Sequence, residues 1–296
     1  MKRWLHDELP RIIAGLATDR IVLPGRSQSR RSGKAPVGGP VPVQFYLAPS
    51  PHSHEHPEIA VVLEGPVFFE IDKRAMSAEQ GSVLIFPSQT SHYDSYISPK
   101  TPYSLLWYIL WPASPRVNLS RYRPGQGFEL AAVLELRHEL IPEDDWTYVA
   151  SLKNARGVRV ERTRELLYSL LAATLEAARR HGPTSAASAT RTVARDAIAF
   201  LKEHLSEAPT VDMAASFVGL SPTYLTTLVR KEVGKPLHDV LAEMRLDKAA
   251  ELLKNTHLSI KEIARLCGFS SADYFTRAFH RTTGVSPRQY RTPPAR

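Results

Sequence analysis

The sequence is almost without cysteine. Cys267 is the single one in 296 residues, which excludes an internal disulfide and any zinc site built from several thiolates. This suits a reducing compartment. Long apolar runs are also missing: nothing approaches the roughly 18 uninterrupted apolar residues of a membrane-spanning helix. Residues 1–15 carry Asp7, Glu8 and Arg11 where an export signal needs an apolar core. The expected location is therefore the cytoplasm, with no membrane partner. Hydrophobic residues make up 43% and charged residues 23% of the chain, ordinary values that exclude wholesale disorder, and the length suits about two domains.

Acidic residues are in deficit, with a net charge of +8, and the deficit is uneven. From Arg191 onward sixteen Lys and Arg stand against eleven Asp and Glu, so just over a third of the chain holds most of the excess. That distribution points to a polyanionic partner for the C-terminal part.

Composition divides the chain into an arm (1–42), a first domain (43–180), a linker (181–190) and a second domain (191–296). Residues 26–42, RSQSRRSGKAPVGGPVP, are too polar and too rich in Gly and Pro to order themselves. Between Val43 and about Trp111, short runs such as VQFYLA, EIAVVLEG, VFFEI, GSVLIFP and YSLLWYILW read as strands of a β-barrel or sandwich. Residues 128–140 and 161–180 carry Leu at helical spacing and read as amphipathic helices beside it. The leucine stripe of the second, which includes Leu167 and Leu171, admits two readings: core, or the seam of a homodimer. HGPTSAASAT, residues 181–190, has the composition of a flexible linker.

The second domain reads as all-α and repeats itself at an offset of 50. Ser221, Tyr224, Leu225, Thr226, Val229, Lys231 and Gly234 align with Ser271, Tyr274, Phe275, Thr276, Phe279, Arg281 and Gly284. Each copy opens with a short helix capped by Thr210 or Ser259, turns at Gly219 or Gly268, and enters a second helix capped by Ser221 or Ser271. Helix, glycine-bearing turn and helix make a helix-turn-helix unit. Residues 237–253, without Gly or Pro, predict one rigid helix joining the copies. Such a connector suits two recognition helices about one DNA turn (~34 Å) apart on a single chain.

The run SIKEIARLCGFSSADYFTRAFHRTTGVSPRQYR, residues 259–291, resembles the signature of the AraC/XylS family of bacterial transcription regulators, and the first copy matches more loosely. The resemblance covers about 100 residues. It implies promoter DNA and RNA polymerase as partners, and control of transcription, commonly activation of sugar or related catabolic genes.

Helix faces assign the contacts. In the second recognition helix Phe275, Ala278 and Phe279 belong to the core, while Ala272, Asp273, Thr276 and Arg277 face the major groove. Arg277 is the strongest candidate base reader, because a guanidinium bonds both acceptors of guanine. In the first copy Thr223, Thr226 and Thr227 occupy the matching face, a less selective set. Arg230, Lys231, Lys235, Arg281, Arg288 and Arg291 are candidate phosphate contacts, and Pro287 and Tyr290 fix the last turn to the core.

In the first domain, His52, His54, Glu58 and Gly65 meet the pattern H-x-H-x3-E-x6-G, which resembles the first cupin motif. Gly81, Pro87 and His92 meet most of the second motif, with Gln89 in place of glycine and Tyr96 in place of asparagine. The resemblance implies a cupin-like barrel of effector-binding type, giving an α+β fold class overall: barrel with flanking helices, then two helix-turn-helix units. His52, His54, Glu58 and His92 are candidate ligands of a divalent transition metal. They are equally candidate polar lining for an organic effector, with Tyr46, Tyr96 and Trp107 supplying rings and hydroxyls. Strand alternation would turn His56 to the same face, where it could substitute for a neighbouring ligand or lie just outside the ligand set. No cofactor is required by the regulator reading, which assigns no catalytic residue. The alternatives are a metal-binding cupin sensor or enzyme fused to a DNA-binding domain, and a constitutive DNA binder whose barrel only dimerises.

Overall fold

A computed structural model describes Arg11 and residues 21–22, 52–152, 158–181 and 186–291. The predicted strand at 43–48 and the arm at 26–42 lie outside these. The described chain divides into two compact units, residues 1–193 with 216–224 and residues 194–215 with 225–296.

The first unit is built on two sheets. Strands β1 (Ile21–Val22), β5 (Val83–Phe86), β2 (Glu58–Glu64), β7 (Tyr103–Ile109), β8 (Arg116–Arg123) and β9 (Gly127–Glu135) form one, in that spatial order. Strands β4 (Arg74–Ala78), β3 (Val67–Ile71) and β6 (His92–Tyr96) form the other. Neighbours are antiparallel except β1 beside β5. The β3–β4 hairpin turns on Asp72 and Lys73, both at positive φ, the backbone a two-residue hairpin demands.

The large sheet is buried on both faces, and the side-chain period of two sorts its residues cleanly. Ile59, Val61 and Leu63 of β2, Val83 and Ile85 of β5, and Leu106 and Tyr108 of β7 join one core. Their alternates, Ala60, Val62, Leu84, Phe86, Tyr103 and Leu105, join a second core with Val67, Phe69 and Ile71 of β3. The first core is closed by helices α1 (Glu143–Ser151) and α2 (Val160–His181), through Trp146, Val149, Leu166, Leu167, Leu170 and Leu171.

Two expectations are corrected here, and one open alternative is decided. Residues 128–140 are not a helix but β9 followed by a short 3-10 turn at His138–Leu140. Leu130 through Leu134 are all buried, and Ala131 is the extra residue of a bulge opposite Leu119 and Ser120. A strand apolar on both faces shows no alternation, so spacing alone does not separate it from a helix. The barrel accordingly runs through β8 and β9 and does not stop near Trp111. Of the two readings of the α2 leucines, core is the one observed, because Leu166, Leu167, Leu170 and Leu171 lie at 0–6% exposure inside the chain's own core. Finally, residues 186–190 are not irregular linker: helix α3 (Ala186–Glu203) starts there, with Ala189 fully buried.

Beyond α3 the described chain is helical, with α4 (Val211–Val218), α5 (Pro222–Val233), α6 (Leu237–Asn255), α7 (Ile260–Leu266), α8 (Ala272–Thr283) and α9 (Pro287–Arg291). The predicted caps form. Met213 N–H donates to Thr210 Oγ1 at 3.1 Å, Tyr224 N–H to Ser221 Oγ at 3.2 Å, and Tyr274 N–H to Ser271 Oγ at 3.1 Å. Ser259 and Glu262 form a reciprocal capping box. Gly268 turns between α7 and α8 with φ 74°. Phe275 and Phe279 stack edge to face in a core with Leu246, Leu253, Ile263 and Cys267, and Tyr290 packs on Phe279. Burial pushes the Cys267 thiol up to about 11, which leaves it inert. Among the described residues no helix is long and apolar enough to cross a membrane.

Because Leu167 is a core residue, Leu167→Ala should cost about 2–5 kcal/mol, seen as a lower urea midpoint, while light scattering shows the wild-type oligomeric state. A changed oligomeric state at wild-type stability would restore the seam.

Candidate effector site and nucleic-acid interface

Glu58 opens β2 with the same parity as Ala60 and Val62, so its carboxylate points into the barrel. His92 opens β6, opposite Ile71 of β3, and shares that interior face. An isolated antiparallel bridge, His52 N–H to His92 O at 3.1 Å and its reciprocal at 2.8 Å, sets His52 beside His92. Gln89 N–H donates to His54 O at 2.7 Å and pins the next histidine. Gln89 holds φ 65°, so the backbone keeps the conformation that glycine supplies in the cupin pattern, at a cost of about 1 kcal/mol. Residues 53–57 lie outside any strand, so local turns and not strand alternation place His54 and His56.

The result is one buried carboxylate among four imidazoles. Glu58 Oε2 lies 3.4 Å from His54 Nε2 and 3.2 Å from His92 Nε2, and Oε1 lies 3.7 Å from His56 Nε2. The His52 ring sits 4.8 Å from that of His54 and 4.7 Å from that of His92. Two overlapping triads, His52–His54–His92 and His54–His56–Glu58, each bring their ligand atoms within 4.8 Å of one another. Burial drives the His54 imidazole down to about 3 against the pull of Glu58. Burial would raise the Glu58 carboxyl, but His54, His56 and His92 outweigh it and hold it well below the usual range.

The donor set suits a cation. His92 Nδ1 is 3.0 Å from Thr90 O, and a carbonyl only accepts, so Nδ1 carries the proton. In the neutral ring Nε2 is then bare, and it faces Glu58 Oε2, another acceptor. Among the described residues His92 Nε2, His54 Nδ1 and both nitrogens of His56 are buried without a hydrogen bond. Buried polar nitrogens without a partner are costly whether they donate or accept, and a proton or a metal ion between Glu58 and the imidazoles reduces the cost.

A pocket beside this cluster is lined by His52, Glu58, His92, Asp94, Trp107 and Asn118, among others. The Trp107 ring lies 5.6 Å from His92 and nearly parallel to it. Asp94 is buried and accepts the Tyr103 hydroxyl at 2.6 Å; burial raises its carboxyl despite that bond. Asp94 and Asn118 were not singled out in the sequence, where no motif marks them. Tyr46 lies outside the described residues, as does the side chain of Tyr96.

On α8, Phe275, Ala278 and Phe279 are buried, Ala272 and Thr276 are half-buried, and Asp273, Arg277 and Arg281 are exposed. Thr276 Oγ1 donates to Ala272 O at 2.8 Å, which turns its remaining lone pairs and methyl outward. Tyr274, missed as a site residue, is 51% exposed on the first turn. On α5, Thr223, Thr227, Arg230 and Lys231 are exposed and Thr226 is half-buried, and Arg288 is exposed on α9. Two of the expected phosphate contacts are otherwise engaged. Lys235 Nζ pairs with both oxygens of Glu243 at 2.6 Å, and half-buried Arg291 donates to Leu258 O.

Residues 45–109 match the cupin domain family and residues 214–293 match a helix-turn-helix domain family. The chain joins a cupin domain to an AraC-type DNA-binding domain. It is 27% identical over 274 residues to the uncharacterized HTH-type transcriptional regulator YijO of Escherichia coli K12, covering 87% of this chain and 86% of YijO. The HTH-type transcriptional activator RhaR of Salmonella dublin is 24% identical over 257 residues, 81% of this chain and 86% of RhaR. The Escherichia coli K12 xylose operon regulatory protein is 34% identical over 95 residues, 32% of this chain but only 24% of that protein. The AraC-type domain thus accounts for α8 and its exposed arginines, and the cupin domain for the histidine cluster.

Both His54 and Glu58 bind fewer protons folded than unfolded. The unfolded histidine takes up its proton near its ordinary value of 6.5 and the folded one near 3, so stability falls as pH drops through that window. Glu58 adds a loss in the same direction below its ordinary range. For metal-free protein, His54→Gln should flatten the rise of unfolding free energy between about pH 4 and pH 6 by on the order of 1 kcal/mol per pH unit. Equal slopes in a urea series would contradict the assignment.

Proposed function

We propose that the chain is a sequence-specific DNA-binding transcriptional regulator whose affinity for promoter DNA is set by a small ligand in the cupin barrel. The observation that carries this reading is α8, an N-capped helix with its aromatic face in the core and Arg277 and Arg281 exposed and unpaired among the described residues. That is the form of a major-groove reading helix. α5 repeats it with threonines at the reading positions. α6, 19 residues or roughly 28 Å long, is a stiff connector between the two copies, so the reading requires no second subunit.

The two recognition helices divide the work. Arg277 supplies a bidentate contact to guanine, and Thr223, Thr226 and Thr227 supply hydroxyls and methyls of lower selectivity. Arg230, Lys231, Arg281 and Arg288 neutralise phosphates and fix register. The name of the relative RhaR, a transcriptional activator, supports action as an activator; RNA polymerase is the partner that the family resemblance implies. Control by a ligand requires that it bind the DNA-competent state with a different affinity, since equal affinity shifts nothing.

A second reading of the barrel is favoured by the unpartnered imidazole nitrogens: a divalent transition metal held by the His52–His54–His92 triad, with Glu58 Oε2 brought in from the side it shares with His54 and His92. Bound there, it would supply a positive charge for the pocket beside it. Neither reading includes a catalytic step.

Selection of binding sites from random duplexes tests the DNA assignment. Arg277→Ala should relax preference at one base pair and cost about 1–3 kcal/mol there. Arg281→Ala should weaken all sites alike and lower the salt slope by about one. An Arg277→Ala protein with unchanged preference would overturn the role of Arg277.

A further inference from the structure

The cupin pattern accounts for His52, His54, Glu58 and His92. It does not account for His56, whose imidazole is 6% exposed and has both nitrogens without a hydrogen bond among the described residues. Its Nε2 is directed at the oxygen of Glu58 that the other histidines leave alone, 3.7 Å away. The His56 ring stacks on that of His54 at 5.5 Å on one side and meets the Trp111 ring edge to face at 5.2 Å on the other. It is not among the residues lining the pocket, whereas His52, Glu58 and His92 are. Glu58 therefore has a pocket side, where Oε2 meets His54 and His92, and a closed side, where Oε1 meets His56.

Resting on the metal reading of the barrel, we propose that His56 is a positioning residue: it holds Oε1 of Glu58 and so commits Oε2 to a divalent transition-metal ion seated on His52, His54 and His92. His92 Nε2 and Glu58 Oε2, 3.2 Å apart beside the pocket, are the pair of ligand atoms that the ion would engage together, in place of the proton they could otherwise share. Three imidazoles and one carboxylate select zinc, cobalt, nickel, copper or iron over magnesium and calcium, which require oxygen-rich shells. A partner on the far oxygen of a ligating carboxylate fixes its orientation, and loss of such a partner typically weakens metal binding by about 10- to 100-fold. At 3.7 Å the pair is within ion-pair reach but longer than a hydrogen bond, so the positioning role requires the contact to shorten when the ion is bound.

The test uses the full chain without a histidine tag, stripped by chelator and titrated with Co2+ and Zn2+ in competition with a chromophoric chelator. Wild type should bind one ion per chain, with X-ray absorption showing three imidazoles and one carboxylate. His56→Leu should lose about 10- to 100-fold in affinity and shift the visible bands of the Co2+ form. His56→Gln retains an N–H donor and should recover most of the loss; it also keeps the test decisive if the leucine variant fails to fold. Wild-type affinity and spectrum in folded His56→Leu, or no rescue by glutamine, would overturn the role of His56. A fourth imidazole in the wild-type spectrum would overturn it too, making His56 a ligand. Absence of metal binding by wild type would overturn the metal reading itself, and DNA binding measured on the same sample shows whether the regulator reading survives.

Discussion

Burial of the six-stranded sheet on both faces is the constraint on which the first unit depends. Because side chains alternate along a strand, every residue of β2, β5 and β7 belongs either to the barrel interior or to the layer under α1 and α2. Glu58 inherits its interior position from that parity, and β6 brings His92 to the same face. A one-residue slip of β2 would turn the carboxylate to the helix layer and an isoleucine to the histidines.

The same constraint explains what the sequence hid. The caps at Thr210, Ser221, Ser259 and Ser271 were legible because each is decided within four residues. The strands β2, β3, β5 and β7 were legible as short β-branched and aromatic runs between turns. β9 was not, because Leu130 to Leu134 meet apolar partners on both sides and long-range pairing with β8, not local period, makes them a strand. The stripe on α2 was legible as a stripe, but a helix face that seals a sheet and one that seals a dimer have the same composition. At the candidate site, motif spacing found His52, His54, Glu58 and His92. Asp94 and Asn118 were invisible because only the sheet register carries them to the pocket, and His56, outside the motif, was legible only through strand alternation, which the turns at 53–57 replace.

The histidine cluster and the recognition helices are opposite solutions to placing polar groups. On α8 the aromatic core of Phe275 and Phe279 is complete, so Arg277 and Arg281 are presented to water, where a phosphate or a base edge can meet them. In the barrel the polar groups are enclosed, and several imidazole nitrogens lack a partner among the described residues, which a proton or a bound cation would supply. An apolar barrel interior would be more stable; retaining a carboxylate and four imidazoles there is explained by binding. A ligand that relieves that strain favours the barrel conformation that fits it, and this supplies the differential affinity that regulation needs.

The most direct measurement is therefore the affinity of the full chain for its selected DNA site, by fluorescence anisotropy, first metal-free and then with one equivalent of Zn2+ bound. The account predicts different affinities, with a coupling of about 1–3 kcal/mol, or roughly 5- to 150-fold. Equal affinities for protein shown to hold the ion would contradict control of DNA binding by the barrel's cation site.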